Sequence, residues 1–181
     1  MFIDSIVYKG RPVNESGRLK KEIAVYDLLE HLDIPFFRLD HGEAKTMEDC
    51  DEIDRLLEIP YCKNLFLSNT QKTEFYLLIL PHHKKFKAGV LSRQIGTARL
   101  SFGKPEYMEE FLNILPGSVS VMGLMNDKDN KIHLLIDTDA MGAEYTTCHP
   151  CVNTTSIKLK TEDLFNKFLK YTGHEAVFVT L

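Results

Sequence analysis

Apolar residues recur at two spacings along the chain, and these spacings predict the order of helices and strands. Helical spacing comes first, in one stripe: Leu19, Ile23, Tyr26, Leu29 and Leu32. Apolar runs typical of strands lie at residues 36–39, 64–68, 75–80, 131–137, 155–159 and 176–179. Further helices are predicted at residues 46–59, 87–94, 105–115 and 161–171. This mixed order, without an internal repeat or a low-complexity linker, predicts a single α+β domain over residues 1–181 with a mixed, largely antiparallel sheet flanked by helices.

Local signals mark several boundaries. Thr46 with Asp49 three residues later is a capping-box arrangement, so the second helix is expected to start there. Residues 69–72 are polar and predict a hairpin between two strands. Pro116 and Gly117 are expected to end the helix at residues 105–115, and Gly173 to end the last helix.

Composition narrows the class of protein. The longest uninterrupted apolar run covers residues 75–80, far too short for a membrane span. The N-terminal residues lack the order of a signal peptide, and four cysteines without a targeting segment are typical of a reducing cytoplasm. A net charge of -4 argues against a protein that coats nucleic acid without specificity, although contact with one end of an RNA stays open.

Three short polar or glycine-containing segments lie far apart in the chain, each beside an apolar, strand-like run. They are Lys63-Asn64, Gly117-Ser118 and His149-Pro150. Because binding and catalytic groups collect where loops leave a rigid sheet, we expect one cleft assembled from three loops. Ser118 lacks the Gly-x-Ser-x-Gly motif of a nucleophilic serine, so covalent catalysis is not expected.

The same segments resemble the YbaK/ProX family of free-standing aminoacyl-tRNA deacylases. The resemblance rests on Lys63-Asn64-Leu65-Phe66-Leu67, Arg99-Leu100-Ser101-Phe102, Pro116-Gly117-Ser118-Val119-Ser120 with Gly123-Leu124-Met125-Asn126-Asp127, and His149-Pro150-x-Val152-Asn153-Thr154. It extends from about residue 20 to the C-terminus. It implies a barrel-like sheet, a metal-independent enzyme without a cofactor, and trans-editing hydrolysis of misacylated tRNA. Within the family, the chain is most similar to the branch that removes alanine from prolyl tRNA.

The resemblance assigns catalytic roles to Lys63, Gly117 and His149. Lys63 is expected to contact the terminal phosphate or ribose, although a lysine at a strand edge also extends its stem over apolar surface without any function. Gly117 allows the backbone to approach the acyl group closely, and the loop amides are able to hold the carbonyl oxygen. His149 is expected to bind the ribose, to order the hydrolytic water or to act as general base, with a pKa near the working pH.

Five further residues are predicted to bind the substrate: Thr46, Asn64, Ser118, Val121 and Met122. Thr46 also fits a plain helix cap, and Asn64 also fits a residue that satisfies a turn. The family commonly has proline four residues after the loop glycine, where this chain has Val121, followed by the flexible Met122. A relaxed loop would admit serine or cysteine as well as alanine, so these esters are the alternative substrates.

The predicted partner is the acceptor end of misacylated prolyl tRNA, with a transient association with prolyl-tRNA synthetase and no membrane. One region is basic and is a candidate for contact with acceptor-stem phosphates: Lys84, Lys85, Lys87, Arg93, Arg99 and Lys104. The sequence does not indicate an oligomeric state. A non-catalytic tRNA-binding module of the same fold is the alternative from another class.

A rival interpretation uses the cysteines. Cys148-His149-Pro150-Cys151 is a C-x-x-C segment with an internal histidine, a pattern found in metal and redox sites. Cys50 and Cys62 are too widely spaced to supply a second pair of ligands. The alternative is that both cysteines are reduced and have only a packing role in the core.

Overall fold

A computed structural model of the chain describes residues 1–44, 47–59, 62–140 and 142–181. Its strands are β1 (Tyr8–Lys9), β2 (Phe36–Asp40), β3 (Cys62–Asn69), β4 (Phe75–Pro81), β5 (Leu100–Phe102), β6 (Ile132–Asp137), β7 (Tyr145–Cys148), β8 (Thr155–Lys160) and β9 (Ala176–Val179). Its α-helices are α1 (Lys20–His31), α2 (Met47–Leu57), α3 (Ala88–Ile95), α4 (Pro105–Leu112), α5 (Thr161–Asp163) and α6 (Lys170–Thr172). The predicted α+β class is confirmed, with the strands divided between two sheets.

The larger sheet is mixed and has the order β5-β3-β4-β6-β9. The predicted hairpin is present, because β3 and β4 pair antiparallel with Leu65 opposite Leu78. β6 pairs parallel with both β4 and β9, and β5 pairs antiparallel with the other edge of β3. Lys63 and Asn64 are consecutive residues of β3, so their side chains lie on opposite faces of this sheet.

The smaller sheet is antiparallel and has the order β1-β2-β8-β7. Leu39 of β2 lies opposite Ser156 of β8, and Cys148 of β7 lies opposite Ile157. His149 follows the last residue of β7. This sheet therefore carries the third of the predicted site segments at its edge.

The main hydrophobic core lies between the two sheets. It includes Phe36 and Ile157 from the smaller sheet and Phe66 and Leu134 from the larger one. A second cluster packs on the opposite face of the larger sheet, where Leu91 of α3 covers it. A third hydrophobic cluster lies between α2 and the smaller sheet, where it includes Leu39.

One helical prediction needs correction, and another is confirmed with a change of helix type along its length. The helix predicted at residues 105–115 ends at Leu112, since Asn113 adopts a left-handed conformation with φ 53° and caps it before Pro116 and Gly117 are reached. The last helix is not uniformly α-helical, because a π-helical stretch (Leu164–Leu169) separates α5 from α6. The predicted start at Thr46 lies outside the described residues.

None of the helices in the described ranges is long and apolar enough to cross a membrane.

Candidate active site

The ring of His149 has a defined tautomer. Its Nδ1 lies 2.8 Å from the carbonyl oxygen of Thr155, the first residue of β8. Since a carbonyl oxygen only accepts, Nδ1 carries the proton and Nε2 presents a lone pair. The side chain is partly exposed, and Nε2 has no hydrogen-bond partner among the described residues. His149 is therefore able to accept a hydrogen bond from a water molecule or from a ribose hydroxyl.

A second histidine and a serine support this ring. His41 places Nδ1 2.7 Å from the carbonyl oxygen of Gly42 and Nε2 2.9 Å from Oγ of Ser156. That hydroxyl lies 3.5 Å from Nδ1 of His149, and the two imidazole rings are 5.9 Å apart. The sequence analysis missed both residues. Strand register, which puts Leu39 opposite Ser156, is the signal that brings His41 close to that serine.

Burial sets the charge of the two rings. It lowers the pKa of His149 from 6.5 to about 4, and the nearby His41 lowers it further. The pKa of His41 is also lowered, mainly by burial. His149 is thus neutral at pH 7, and the expectation of a pKa near the working pH is wrong. A base this weak is better suited to orienting a hydroxyl group than to removing its proton.

A buried ion network holds Thr155, which in turn orients His149. The guanidinium of Arg18 donates to Glu22 at 2.7 Å, to Asp40 at 2.6 Å and to Oγ1 of Thr155 at 3.2 Å. Burial favours the neutral form of Asp40, but hydrogen bonds from Arg18 and Arg38 outweigh it and lower the pKa of Asp40 to about 2. The strand that presents the Thr155 carbonyl is therefore fixed by charged hydrogen bonds.

The glycine loop forms a tight turn at Gly117, whose φ is 90°. Both the amide and the hydroxyl of Ser118 donate to the carbonyl oxygen of Leu115, at 3.1 and 2.9 Å. These two groups of Ser118 are consequently not free to bind a substrate carbonyl, contrary to the expectation for its amide. The amides of Gly117 and Val119 have no backbone acceptor in the described part of the chain, so both are available as donors.

One serine ties the glycine loop to the histidine segment. Ser120 is fully buried and its Oγ donates to the carbonyl oxygen of His149 at 2.5 Å, while it accepts from the amide of Met122 at 3.1 Å. On the other side, a Cβ added at Gly117 would lie 3.4 Å from Nδ2 of Asn153. Two of the three predicted segments therefore meet.

Val121 and Met122 lie beneath this loop. They belong to a short 3-10 helix (Val121–Asn126) and are 2% and 0% exposed. Their side chains pack in the main core, so contact with an acyl group stays a prediction, and burial favours an indirect effect on loop shape. Thr46 lies outside the described residues.

Lys63 is occupied elsewhere. Its Nζ donates to the carbonyl oxygens of His82, at 3.0 Å, and of Lys84, in the loop after β4. Burial lowers its pKa. None of these contacts joins Lys63 to His149 or to the glycine loop, so its catalytic role stays a prediction.

Two buried polar atoms lack a hydrogen-bond partner within the described ranges. They are Oδ1 of Asn64 and Oγ1 of Thr147. Leaving such an atom unsatisfied costs about 1–3 kcal/mol, and native structures keep few of them. Thr147 precedes His149 by two residues, a spacing that lies on one face of a strand. Thr147 gave no signal in the sequence.

The cavities do not by themselves identify this site. One cavity, of about 760 Å³, lies between the last helix and β9, and none of the predicted site residues is among those that line it in the described part of the chain. A cleft of about 310 Å³ opens between β3, the loop after β4 and β7, with Cys62, His82 and Thr146 in its wall. It adjoins Lys63 rather than His149.

The cysteine interpretation loses its support. Cys148 and Cys151 are free thiols, 4% and 0% exposed, and burial raises the pKa of both. Thiols this buried are poor nucleophiles and poor ligands at neutral pH. In the described residues, the group of side chains close enough to share a metal ion consists of Asp51, Asp54 and His82, and it contains no cysteine.

Comparison with known proteins identifies the class. A family model described as "Aminoacyl-tRNA editing domain" matches residues 41–167, more than half of the chain. The chain therefore belongs to the aminoacyl-tRNA editing domain family and is an aminoacyl-tRNA deacylase with tRNA as its substrate. The resemblance drawn from the sequence is confirmed.

Particular relatives agree with the family. The prolyl-tRNA editing protein ProX of Acetoanaerobium sticklandii is 29% identical over 152 residues, which cover 83% of this chain and 92% of that protein. The prolyl-tRNA synthetase associated domain-containing protein 1 of Danio rerio is 27% identical over 164 residues, 90% of this chain and 87% of that protein. The fold also matches a crystal structure of a candidate trans-editing enzyme for prolyl tRNA synthetase, with a TM-score of 0.65, 14% identity and coverage of 90% and 98%.

Proposed function

We propose that this chain hydrolyses alanine from misacylated prolyl tRNA in trans. The observation that carries the proposal is the junction of the glycine loop with the His149 segment through Ser120. Among the described residues, it brings loop amides that lack a hydrogen-bond acceptor and a neutral imidazole acceptor onto one short stretch of structure. Ester hydrolysis needs these two functions, donors for the developing oxyanion and a group that orients the attacking water.

The proposed mechanism is non-covalent. The loop amides of Gly117 and Val119 hold the carbonyl oxygen of the aminoacyl ester. Nε2 of His149 accepts a hydrogen bond from the ribose hydroxyl or from the water. Because His149 is neutral and a weak base, the free ribose hydroxyl of the substrate helps to position the water. The water adds to the carbonyl carbon and the ester bond to the other ribose oxygen breaks. That oxygen takes up the proton that the water loses, so the tRNA leaves with a free hydroxyl.

The choice of alanine follows from the need for a second sieve. A synthetase that binds proline discriminates against a smaller amino acid by only about 1–3 kcal/mol for a missing methylene. Names of the relatives support prolyl tRNA as the carrier. The proposal includes one editing domain over the whole chain, action in the cytoplasm and a transient association with prolyl-tRNA synthetase.

Deacylation of charged tRNA tests the proposal. Prolyl tRNA carrying alanine, cysteine, serine or proline is incubated with the protein in the presence of a chelator, beside His149→Ala and the control His31→Ala, whose side chain is exposed. We expect selective loss of alanine and a large loss of rate in His149→Ala alone. Faster release of cysteine or serine than of alanine would show that one of those esters is the preferred substrate. Retained tRNA binding without hydrolysis of any ester would favour the non-catalytic tRNA-binding module.

A further inference from the structure

One stretch of the chain has a charge opposite to that of the whole. Residues 81–105 contain no acidic residue, whereas the chain has a net charge of -4. The six basic residues of this stretch span residues 84–104, here called the basic segment: Lys84, Lys85, Lys87, Arg93, Arg99 and Lys104. A charge asymmetry of this kind points to a polyanionic partner.

Most of these charges have no ion-pair partner within the described part of the chain. Lys84 forms ion pairs with Asp137 at 2.7 Å and Asp139 at 2.8 Å. The other five cations are exposed and form no ion pair with the described residues. Cations without an intramolecular partner are available for phosphate groups, and neutralising phosphates releases counterions.

An exposed aromatic ring lies among these cations. Phe102 ends the edge strand β5 and is 66% exposed. Its ring is 5.6 Å from that of Phe86, which packs against the second core cluster and so supports one side of it. A large apolar ring left in water is costly, and in a basic surface it is typical of a platform on which a base stacks.

Lys63 anchors the beginning of the basic segment. Its ammonium group holds the carbonyl oxygens of His82 and Lys84, and it lies on the same face of β3 as Leu67, which pairs with Phe102. The lysine that the resemblance assigns to catalysis thus fixes the loop that leads into the cations.

We infer that the basic segment is the surface on which tRNA docks, with its cations on phosphates and Phe102 stacked on an unpaired base. The inference rests on the proposed function for the identity of the partner as tRNA. An acidic protein is a weaker fit, because it offers charge complementarity but no flat group for the Phe102 ring.

Binding of uncharged tRNA, followed by fluorescence anisotropy, tests the aromatic contact without any hydrolysis. We expect Phe102→Leu to weaken binding about 5-fold or more and Phe102→Tyr, which keeps the ring, to restore it. Phe178→Leu is the matched control, because Phe178 is 55% exposed on β9 at the far edge of the same sheet. Equal binding by Phe102→Leu and the wild type would overturn the stacking contact.

Salt dependence tests the cations. Lys87→Gln and Arg99→Gln should each reduce the slope of log K against log salt by about 0.9 if they contact duplex phosphates. Lys170→Gln, an exposed lysine of α6, should leave the slope unchanged. Unchanged slopes in all three variants, or equally tight binding of polyglutamate, would overturn the docking surface.

The two proposals fail separately. At substrate concentrations well below saturation, Phe102→Leu should slow hydrolysis in proportion to its weaker tRNA binding, whereas Phe178→Leu should not. If no ester is hydrolysed but the variants weaken tRNA binding, the proposed function fails and the docking surface stands. If hydrolysis is normal and every variant binds tRNA like the wild type, the docking surface fails alone.

Discussion

Replacing His149 by asparagine isolates the effect of its partly buried ring on stability. In asparagine the amide nitrogen is bonded to Cγ, as Nδ1 is in histidine. Its N–H group is therefore able to keep the hydrogen bond to the Thr155 carbonyl. The substitution removes the titrating group. A comparison of the wild type with His149→Asn therefore measures the free energy of keeping this imidazole neutral.

The magnitude follows from the shift in pKa. The pKa of His149 is about 4 in the folded protein and 6.5 in the unfolded chain, so the unfolded state binds the proton more tightly. The stability that depends on neutral His149 is complete above pH 6.5 and is lost as the pH falls from 6.5 towards 4. At about 1.4 kcal/mol per pH unit the full loss is about 3 kcal/mol, and about 2 kcal/mol of it is reached by pH 5.

Urea denaturation at several pH values between 7.5 and 5 gives the free energy of unfolding of both proteins. Between these limits the wild type should lose about 2 kcal/mol more than His149→Asn. His41 titrates in both proteins, so its contribution largely cancels in the difference. His31→Asn, at an exposed histidine, serves as control and should follow the wild type. Parallel curves for the wild type and His149→Asn would refute the lowered pKa of His149.

Three further predictions concern the loops. Gly117→Ala and Gly96→Ala should each lower the free energy of unfolding by about 1–2 kcal/mol, because both glycines have positive φ. Only Gly117→Ala should also slow deacylation, since its methyl group faces Asn153. Equal deacylation rates for the two variants, assayed at a temperature where both are folded, would contradict this. Val121→Pro should keep the fold, with the free energy of unfolding changed by about 1 kcal/mol or less. The reason is that Ser120 is already extended, at φ -153° and ψ 147°, and Val121 begins the 3-10 helix. A large fall in melting temperature would contradict this, and the aminoacyl preference of the folded variant is compared with that of the wild type. Lys63→Met should lower the free energy of unfolding, measured by urea denaturation, by about 2 kcal/mol, because it leaves two carbonyl oxygens without their donor. Lys63→Arg should lower it less. An unchanged free energy of unfolding in Lys63→Met would show that Lys63 does not anchor the loop.

The helices and long strands were predictable because their patterns are local. The β3–β4 hairpin needs only two apolar runs and a polar turn, and the structure forms it. β1, β5 and β7 were not predicted, since two to four residues are too few to show a period. The end of α4 was placed too late because Asn113 adopts the left-handed conformation that the pattern reserved for a glycine.

The site was predictable in part. Gly117 and His149 were predicted through the resemblance, and the structure joins their segments. The join depends on Ser120, which is a small polar residue with no signal of its own, and on a register that puts His41 near Ser156. The role of Lys63 stays a prediction, because a lysine beside a strand has the same sequence pattern whether its ammonium group contacts a phosphate or two backbone carbonyls. Burial and hydrogen-bond partners separate these cases, and neither is visible in the sequence.

The arrangement around Thr155 separates the fixed part of the site from the part that titrates. The Thr155 hydroxyl lies 3.2 Å from both Glu22 and Asp40, and its carbonyl accepts the Nδ1 proton of His149. Asp40 has a pKa of about 2, so its hydrogen bonds with Arg18 persist throughout the range in which the buried histidines gain protons. Acidification therefore charges the imidazoles while their backbone support is still in place. Early loss of activity at low pH should accordingly be reversible and should precede the unfolding of the smaller sheet.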